Sequence, residues 1–258
     1  MQRESRITVS VVSHGQQDMV SRVLEQLAGL KNADIKTVVI THNLAYEDLP
    51  KPPNASFALI QIHNPKPLGF AANHNQAFQH CQTPWYAVLN PDLEFTFGDP
   101  FPALLAAGEA DPKLGMLAPL LIQPDTREAE PNRGMVTPFE VIRRRLPGCK
   151  SPDKPTWLVG AFLFIRREIF DAVNGFDERY RLYCEDVDLS LRILKAGMNI
   201  DRIIDAQVIH LTQRKSQRRP LHLLWHLSSI LRLWMTWGFH GKYDILPNLI
   251  ETRKRKIP

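Results

Sequence analysis

Trp157–Gly197, WLVGAFLFIRREIFDAVNGFDERYRLYCEDVDLSLRILKAG, decides how the rest of the chain is read. Leu158 to Ile165 is an apolar run short enough for a buried strand, and Gly160 and Ala161 inside it leave room for a second backbone or a ligand. A short helical piece then ends at Asn174-Gly175, a turn follows at Phe176-Asp177-Glu178, and three acids gather at Glu185, Asp186 and Asp188. Val187, Leu191 and Leu194 recur at spacings of four and three, which predicts an amphipathic helix with Gly197 as its C-cap. The acids therefore fall in the first turn, where helix amides favour an ionised carboxylate, so one of them should be a base near neutral pH. A lone Asp186 or Asp188 would be read as a simple cap. Three acids directly after Tyr180 and Tyr183 point instead to a site.

Upstream, Ile7–Ser13 (ITVSVVS) reads as a strand ending in Ser13-His14-Gly15. Gln17–Leu30 carries Met19, Val23, Leu24 and Leu27 at helical spacing, and Ile35–Ile40 is a second strand leading into Thr41-His42-Asn43. This β-α-β start predicts a parallel sheet covered by helices, with ligands beyond the C-terminal ends of its strands. A third strand, Ser56–Ile62, leads into a loop from Asn64 to Asn75 whose Gly69-Phe70-Ala71 turn opens a helix. Such a turn offers backbone N–H groups to a phosphate or sugar oxygen, although it is not a GxGxxG dinucleotide loop. The fourth strand, Trp85–Leu89, ends in Asn90-Pro91-Asp92. An acid just past a buried strand can hold a divalent cation, and the same three residues also suit an ordinary turn. A helix from Asp99-Pro100 through Ala107 and a strand over Leu114–Ile122 follow.

Residues 123–156 are rich in proline, arginine and other polar types, with one short helix candidate at Phe139–Ile142. The segment reads as a long, partly mobile excursion over the sheet edge, either a lid or acceptor loop or a solvated spacer. A last strand over Ile200–Ile209 ends in His210. Beyond Gln213 the chain is first basic (Arg214, Lys215, Arg218, Arg219) and then apolar from Leu221 to Phe239, with Trp225, Trp234 and Trp237. His222, His226 and Arg232 interrupt that run, which argues against a membrane-crossing helix. A Leu- and Trp-rich helix with basic flanks, including Arg253–Lys256, suits the headgroup boundary of a membrane; the same face could pack on the domain.

The whole has 258 residues, 44% hydrophobic and 23% charged, which suits one large α/β domain with an appendage and excludes disorder as the default. A net charge of +5 suits anionic partners such as nucleotides, diphosphates or anionic lipid. No basic helix or interleaved aromatic motif outside the tail supports nucleic-acid binding, so no nucleic-acid partner is expected. Cys81, Cys149 and Cys184 are odd in number and lack metal-site spacing, and the polar, then strand-like start does not read as a signal peptide, which together fit the cytosol.

The segments GAFLFIRREIF, NGFDERY, YCEDVDLSLRILKAG and IIDAQVIHL, in this order and spacing, resemble the C-terminal half of family 2 glycosyltransferases. Within that family they are most similar to rhamnosyltransferases that build O-antigen on a polyprenyl diphosphate lipid. The resemblance implies a GT-A nucleotide-diphospho-sugar transferase fold: a mostly parallel central sheet flanked by helices, here with a C-terminal helical membrane-associating extension. It implies a domain over 1–212, made of a nucleotide-sugar half (1–122), the excursion (123–156) and an acceptor and catalytic half (157–212), followed by the tail, 213–258. Carried onto this chain, Ser13, His14, Gly15, His42 and Asn43 hold the nucleotide, and Gly69, Phe70 and Asn75 lie beside the nucleotide-sugar. Asn90 and Asp92 match the family's Asn-Pro-Asp form of its metal motif, Asp92 and the late His210 approaching a divalent cation, Mg²⁺ or else Mn²⁺. Glu185 and Asp186 match its catalytic pair, with Asp186 as general base. The implied reaction is inverting transfer of L-rhamnose from dTDP-rhamnose to a polyprenyl-diphosphate-linked GlcNAc on the inner face of the cell membrane. Galactofuranose or a hexose from a UDP donor, or a non-catalytic nucleotide-sugar or glycan binder, are the alternatives. The chain departs from the pattern at His42, where the second strand usually ends in an acid that reads the base. It departs also at Asn90, which replaces the first acid of the metal motif, and around Asn73-His74, where a glycine is usual.

Overall fold

The computed structural model describes residues 5–30, 34–143, 150–211 and 220–238. The basic stretch Arg214–Arg219, the basic end Arg253–Lys256 and Cys149 lie outside the described residues.

The N-terminal half alternates strand and helix as its periodicity requires. β1 (Ile7–Ser13), α1 (Gln17–Gly29), β2 (Ile35–His42), β3 (Ala58–His63), α2 (Phe70–Phe78) and β4 (Trp85–Leu89) come first. β4 is apolar on both faces, β1 carries Thr8 and Ser10 on one of its faces, and both strands are buried almost throughout, as strands covered on each side must be. α1 turns Val20, Val23, Leu24 and Leu27 into the same core. After β4 the chain makes β5 (Leu93–Glu94), α3 (Phe101–Ala110), β6 (Leu114–Ile122), α4 (Pro138–Arg143), β7 (Phe162–Arg166), α5 (Arg167–Ala172), α6 (Glu185–Lys195), β8 (Asn199–His210) and α7 (Pro220–Trp237).

The eight strands form one sheet in the order β3-β2-β1-β4-β7-β6-β8-β5. The pairings β1·β2, β1·β4, β2·β3 and β6·β8 are parallel, and β4·β7, β6·β7 and β5·β8 are antiparallel. The sheet is thus mixed, with antiparallel β7 placed between β4 and β6. β7 is also shorter than the apolar run suggests. It starts at Phe162, because Gly160 and Ala161 turn away to meet other backbone and the N-terminus of α6. β5, only two residues long, owes its existence to pairing with β8 rather than to any local pattern.

One apolar cluster lies between the sheet and α1 and α3, and a second lies on the other face under α2, α5 and α6. Each fully buried Leu, Val, Ile or Phe in them contributes roughly 1.5–3 kcal/mol of transfer free energy. Packing is close enough that a Cβ on Gly108 of α3 would come 2.5 Å from the Trp85 ring. A third, small cluster sits under α7.

Near its two ends the 123–156 excursion is tied to the domain. Gln123 N–H donates to Glu128 O, Glu130 N–H to Leu121 O, and Thr156 N–H to Arg133 O. Isolated bridges Ile122–Ala129 and Arg133–Trp157 fix it against the end of β6 and the approach to β7.

α7 divides its faces. Leu233 is fully buried, Ser229 Oγ donates to Leu182 O, Trp234 Nε1 to Val136 O, and Trp237 Nε1 to Asp188 Oδ1. Trp234 and Trp237 therefore face protein. The exposed stripe is instead Leu224, Leu227, Leu231 and Met235, each at least 50% exposed. No helix among the described residues is long and apolar enough to cross a membrane.

Candidate active site

β4 delivers Asn90, whose N–H donates to Ala161 O at 2.8 Å. The next residue back along that segment, Gly160, donates its N–H to Asp186 Oδ2 at 2.9 Å. A Cβ on Gly160 would sit 3.4 Å from Asp186 Cβ and 3.7 Å from the Phe70 ring. The Asn-Pro-Asp loop, the glycine of the central stretch, the Gly69 loop and the acidic helix N-terminus thereby meet at one end of the sheet.

Asp92 and His210 come together through the β5·β8 ladder, in which Leu93 pairs with His210. Asp92 O accepts from Leu211 N–H, and Asp92 Oδ1 lies 3.5 Å from His210 Nε2. Asp92 Oδ1 is buried and has no hydrogen-bond partner. A buried carboxylate oxygen left unpaired beside an imidazole nitrogen is a donor set suited to Mg²⁺ or Mn²⁺. On the far side of the ring, His210 Nδ1 lies 3.7 Å from Glu130 Oε1, a residue of the excursion. Burial works against charge on His210, but the carboxylates of Asp92 and Glu130 outweigh it and push the imidazolium up to about 9, so a cation taken by Nε2 would displace a proton.

The three acids of α6 do different things. Asp188 is bound into the fold, accepting from Arg192 Nε at 2.7 Å and from Trp237 Nε1 at 2.9 Å. Asp186 is half-buried and accepts two backbone N–H groups, from Gly160 and, at 2.8 Å, from Val187. Glu185 is 6% exposed, and its Oε2 has no partner. Neither Asp186 nor Asp188 caps the helix: the N-cap is Cys184, in the left-handed region at φ 66°, and it makes no side-chain cap bond. At Glu185 and Asp186 burial opposes the helix amides. Burial raises the Asp186 carboxyl above its ordinary range, the N–H groups of Gly160 and Val187 only partly offsetting it. Burial, and then the charge of Asp186, raises Glu185 as well.

The rise at Glu185 has a consequence for stability. An acid whose folded pKa is raised favours the native state below its unfolded value, near 4.5, and costs stability as pH climbs through the raised value. Glu185→Gln should therefore raise Tm at pH 7–8 by roughly 2–4 °C per kcal/mol relieved, the gain fading toward pH 4.5. Differential scanning calorimetry across that range tests it; a gain independent of pH would refute the buried-charge account.

Several residues expected to contact a nucleotide are tied within the protein. Asn43 Oδ1 accepts from Leu68 N–H and Asn64 Nδ2, while its Nδ2 donates to Leu68 O and to His14 Nδ1. That clamps the Ser13 end of β1 to the loop ahead of Gly69 and engages His14 through its Nδ1. Asn75 embraces the Phe176 turn, accepting from Phe176 N–H and donating to Phe176 O and Glu178 Oε1. Gly69 must be glycine: a Cβ there would come 2.6 Å from Arg181 O, where Phe70 N–H also donates. Ser13 is buried with its Oγ on Gln17, and Gly15 is exposed at φ 92°.

His42 is not presented to a ligand. It is fully buried, Gln17 Nε2 donates to its Nδ1, and its Nε2 meets Gln61 Oε1 at 2.9 Å. Its ring stacks on the exposed His63 at 4.5 Å, and His63 Nε2 meets Asp48 Oδ1 at 2.6 Å. His42, Asp48 and His63 form a cluster of potential metal ligands, but both His42 nitrogens are already engaged. Sequence reasoning missed Glu130 and Arg133. Glu130 Oε2 accepts from Arg133 Nη2 at 2.8 Å, and the positive charge of Arg133 reaches Asp186. Nothing in their surroundings in the sequence marks them, since an acid and an arginine in a proline-rich polar stretch read as solvated.

A family model described as glycosyl transferase family 2 matches residues 8–173, and one described as the N-terminal domain of galactosyltransferase matches residues 144–214. The N-acetylglucosaminyl-diphospho-decaprenol L-rhamnosyltransferase of Mycobacterium tuberculosis is 34% identical over 166 residues, 56% of this chain and 53% of its own length. The match thus spans about half the length of that relative. Rhamnosyltransferase WbbL of Escherichia coli is 25% identical over 249 residues, covering 88% of this chain and 91% of its own. Among solved structures, GalNAc-T7 with UDP, GalNAc and Mn²⁺ superposes with a TM-score of 0.67 at 16% identity, covering 92% of this chain and 49% of that one. The mannosyltransferase PcManGT of Pyrobaculum calidifontis with GDP-Man and Mn²⁺ gives 0.60 at 17%, covering 89% and 65%. At those identities the likeness is one of fold.

Proposed function

Because this chain belongs to glycosyl transferase family 2, we propose that it is an inverting transferase moving L-rhamnose from dTDP-rhamnose to a GlcNAc carried on a polyprenyl diphosphate, in assembly of an O-antigen type of polysaccharide. The observation that carries the reading is the junction of the two acidic centres through one short piece of backbone: Asn90 on Ala161 and Gly160 on Asp186. The rhamnose and the lipid-linked acceptor rest on the names of the two rhamnosyltransferase relatives.

Asp92 and His210 would hold a divalent cation, Mg²⁺ or Mn²⁺, which when bound neutralises the departing nucleoside diphosphate. Asp186 takes the proton from the acceptor hydroxyl as that oxygen bonds to the anomeric carbon and the bond from that carbon to the diphosphate oxygen breaks, with inversion. The Gly160 and Val187 N–H groups hold the carboxylate in one orientation, and burial brings its affinity for a proton closer to neutrality, where a base works best. The loops at Ser13–Gly15 and Gly69–Phe70 face the nucleotide; Asn43 holds those loops together, and Asn75 holds the Phe176 turn. His42 supports the β2 end rather than touching the base.

The exposed stripe on α7, with the basic residues on either side of it in the sequence, suits peripheral binding to the inner face of the cell membrane. Leu227→Glu with Leu231→Glu should abolish co-flotation with vesicles containing anionic lipid while leaving transfer to a short, soluble acceptor intact. Unchanged flotation would remove the stripe from the membrane contact.

Purified protein with Mg²⁺, a panel of dTDP-, UDP- and GDP-sugars and a GlcNAc-diphosphate-lipid analogue tests the activity through nucleoside diphosphate release. Release from dTDP-rhamnose that requires acceptor and stops with EDTA is expected. Release from a UDP-sugar instead would replace the donor while keeping the site.

A further inference from the structure

We propose that Glu130 is a positioning residue for His210, which brings the Glu130–Arg133 stretch into the donor site; this rests on Asp92 and His210 being the cation-holding pair. His210 presents Nε2 to Asp92 Oδ1 at 3.5 Å and Nδ1 to Glu130 Oε1 at 3.7 Å, so the two carboxylates lie on opposite sides of one ring. His210 Nδ1 is buried and makes no hydrogen bond in this structure. The side chains of His210 and Glu130 are 9% and 12% exposed, so water does not readily replace either partner.

An imidazole binds a cation through one nitrogen only if its proton sits on the other. A carboxylate facing Nδ1 holds a proton there, leaves Nε2 as the nitrogen that gives up its proton to a cation beside Asp92, and makes that nitrogen a better donor. Closing the gap from 3.7 Å to a hydrogen bond of about 2.8 Å needs a side-chain movement under an ångström. Glu130 is held for the purpose. Its N–H is bonded to Leu121 O on β6, its carbonyl accepts from Arg202 Nη1, and its second carboxylate oxygen accepts from Arg133 Nη2. Of its two oxygens, one is thus tied to the excursion and the other left for the ring.

Mn²⁺ binding in the presence of dTDP, followed by electron paramagnetic resonance on full-length protein, tests this apart from turnover. Glu130→Ala should weaken Mn²⁺ by about 10–100-fold, and Glu130→Gln, whose amide oxygen still accepts from Nδ1–H, should restore most of it. Glu130→Leu replaces the alanine variant if that one melts early. Mn²⁺ affinity at wild-type level in Glu130→Ala, with Asp92→Ala severely impaired, would overturn the role of Glu130 and leave the cation pair standing. A Glu130→Gln protein as weak as Glu130→Ala would also overturn it, because the ion pair with Arg133 would then be what matters. Wild-type affinity in Asp92→Ala would overturn the cation pair itself.

Discussion

Asp186→Asn should lower turnover by about 10²–10⁴-fold while leaving donor binding close to that of the native protein. The size follows from the role: a positioned base contributes in the transition state, when the acceptor oxygen is losing its proton, and not when the donor docks. The structure adds a condition to the test. Each Asp186 oxygen accepts a backbone N–H, from Gly160 and from Val187, and an asparagine can accept only one of them. The variant should therefore also lose about 1–3 kcal/mol of stability, and kinetics must be measured well below its Tm. Nucleoside diphosphate release gives turnover, and calorimetric titration with dTDP gives binding. A fall in kcat with unchanged donor affinity is the expected pair of results. Near-native turnover would reassign the base, and Glu185, buried beside it with one oxygen unpartnered, would be the next to examine.

Asp92→Ala should produce the second large loss, and of a different kind. Asp92 Oδ1 is buried without a partner, so removing it leaves the hydrogen bonds of the fold almost intact and takes away the oxygen that faces His210. The loss should appear in donor KM and in kcat together, because a cation held there acts both on the bound diphosphate and on its departure. A cost of about 3 kcal/mol in kcat/KM corresponds to a factor of more than a hundred. EDTA should bring the native protein down to the level of the variant and leave the variant unchanged. Continued sensitivity of Asp92→Ala to EDTA would place the cation elsewhere.

Much of this was legible in the chain itself. ITVSVVS is rich in β-branched residues, WYAVL and the run Leu114–Ile122 are apolar over strand lengths, and the structure makes each a buried strand. Val187, Leu191 and the acids before them announced α6 and its placement. The ends of β4 and β8 were legible too: Asn90 falls just past Leu89, and His210 closes β8.

Which side chains were left free was another matter. Asn43 and Asn75 looked like ligand contacts and became clamps, since their partners, Leu68 and Phe176, arrive from segments 25 and 101 residues away. His42 sits where a ligand-reading acid would be, yet Gln17 and Gln61 enclose it. Asp188 was one of three equal acids until Arg192 and Trp237 took it.

The sequence by itself determined the α/β alternation, the strand ends at Asn90 and His210, the acidic first turn of α6 and the family to which they belong, because periodicity and short motifs are written within a few residues. The tertiary structure decided the antiparallel insertion of β7, the two-residue β5 that brings Asp92 to His210, the approach of Glu130, and the upward shift of Glu185 and Asp186. Pairing partners and desolvation come from atoms distant along the chain, and no window of sequence contains them.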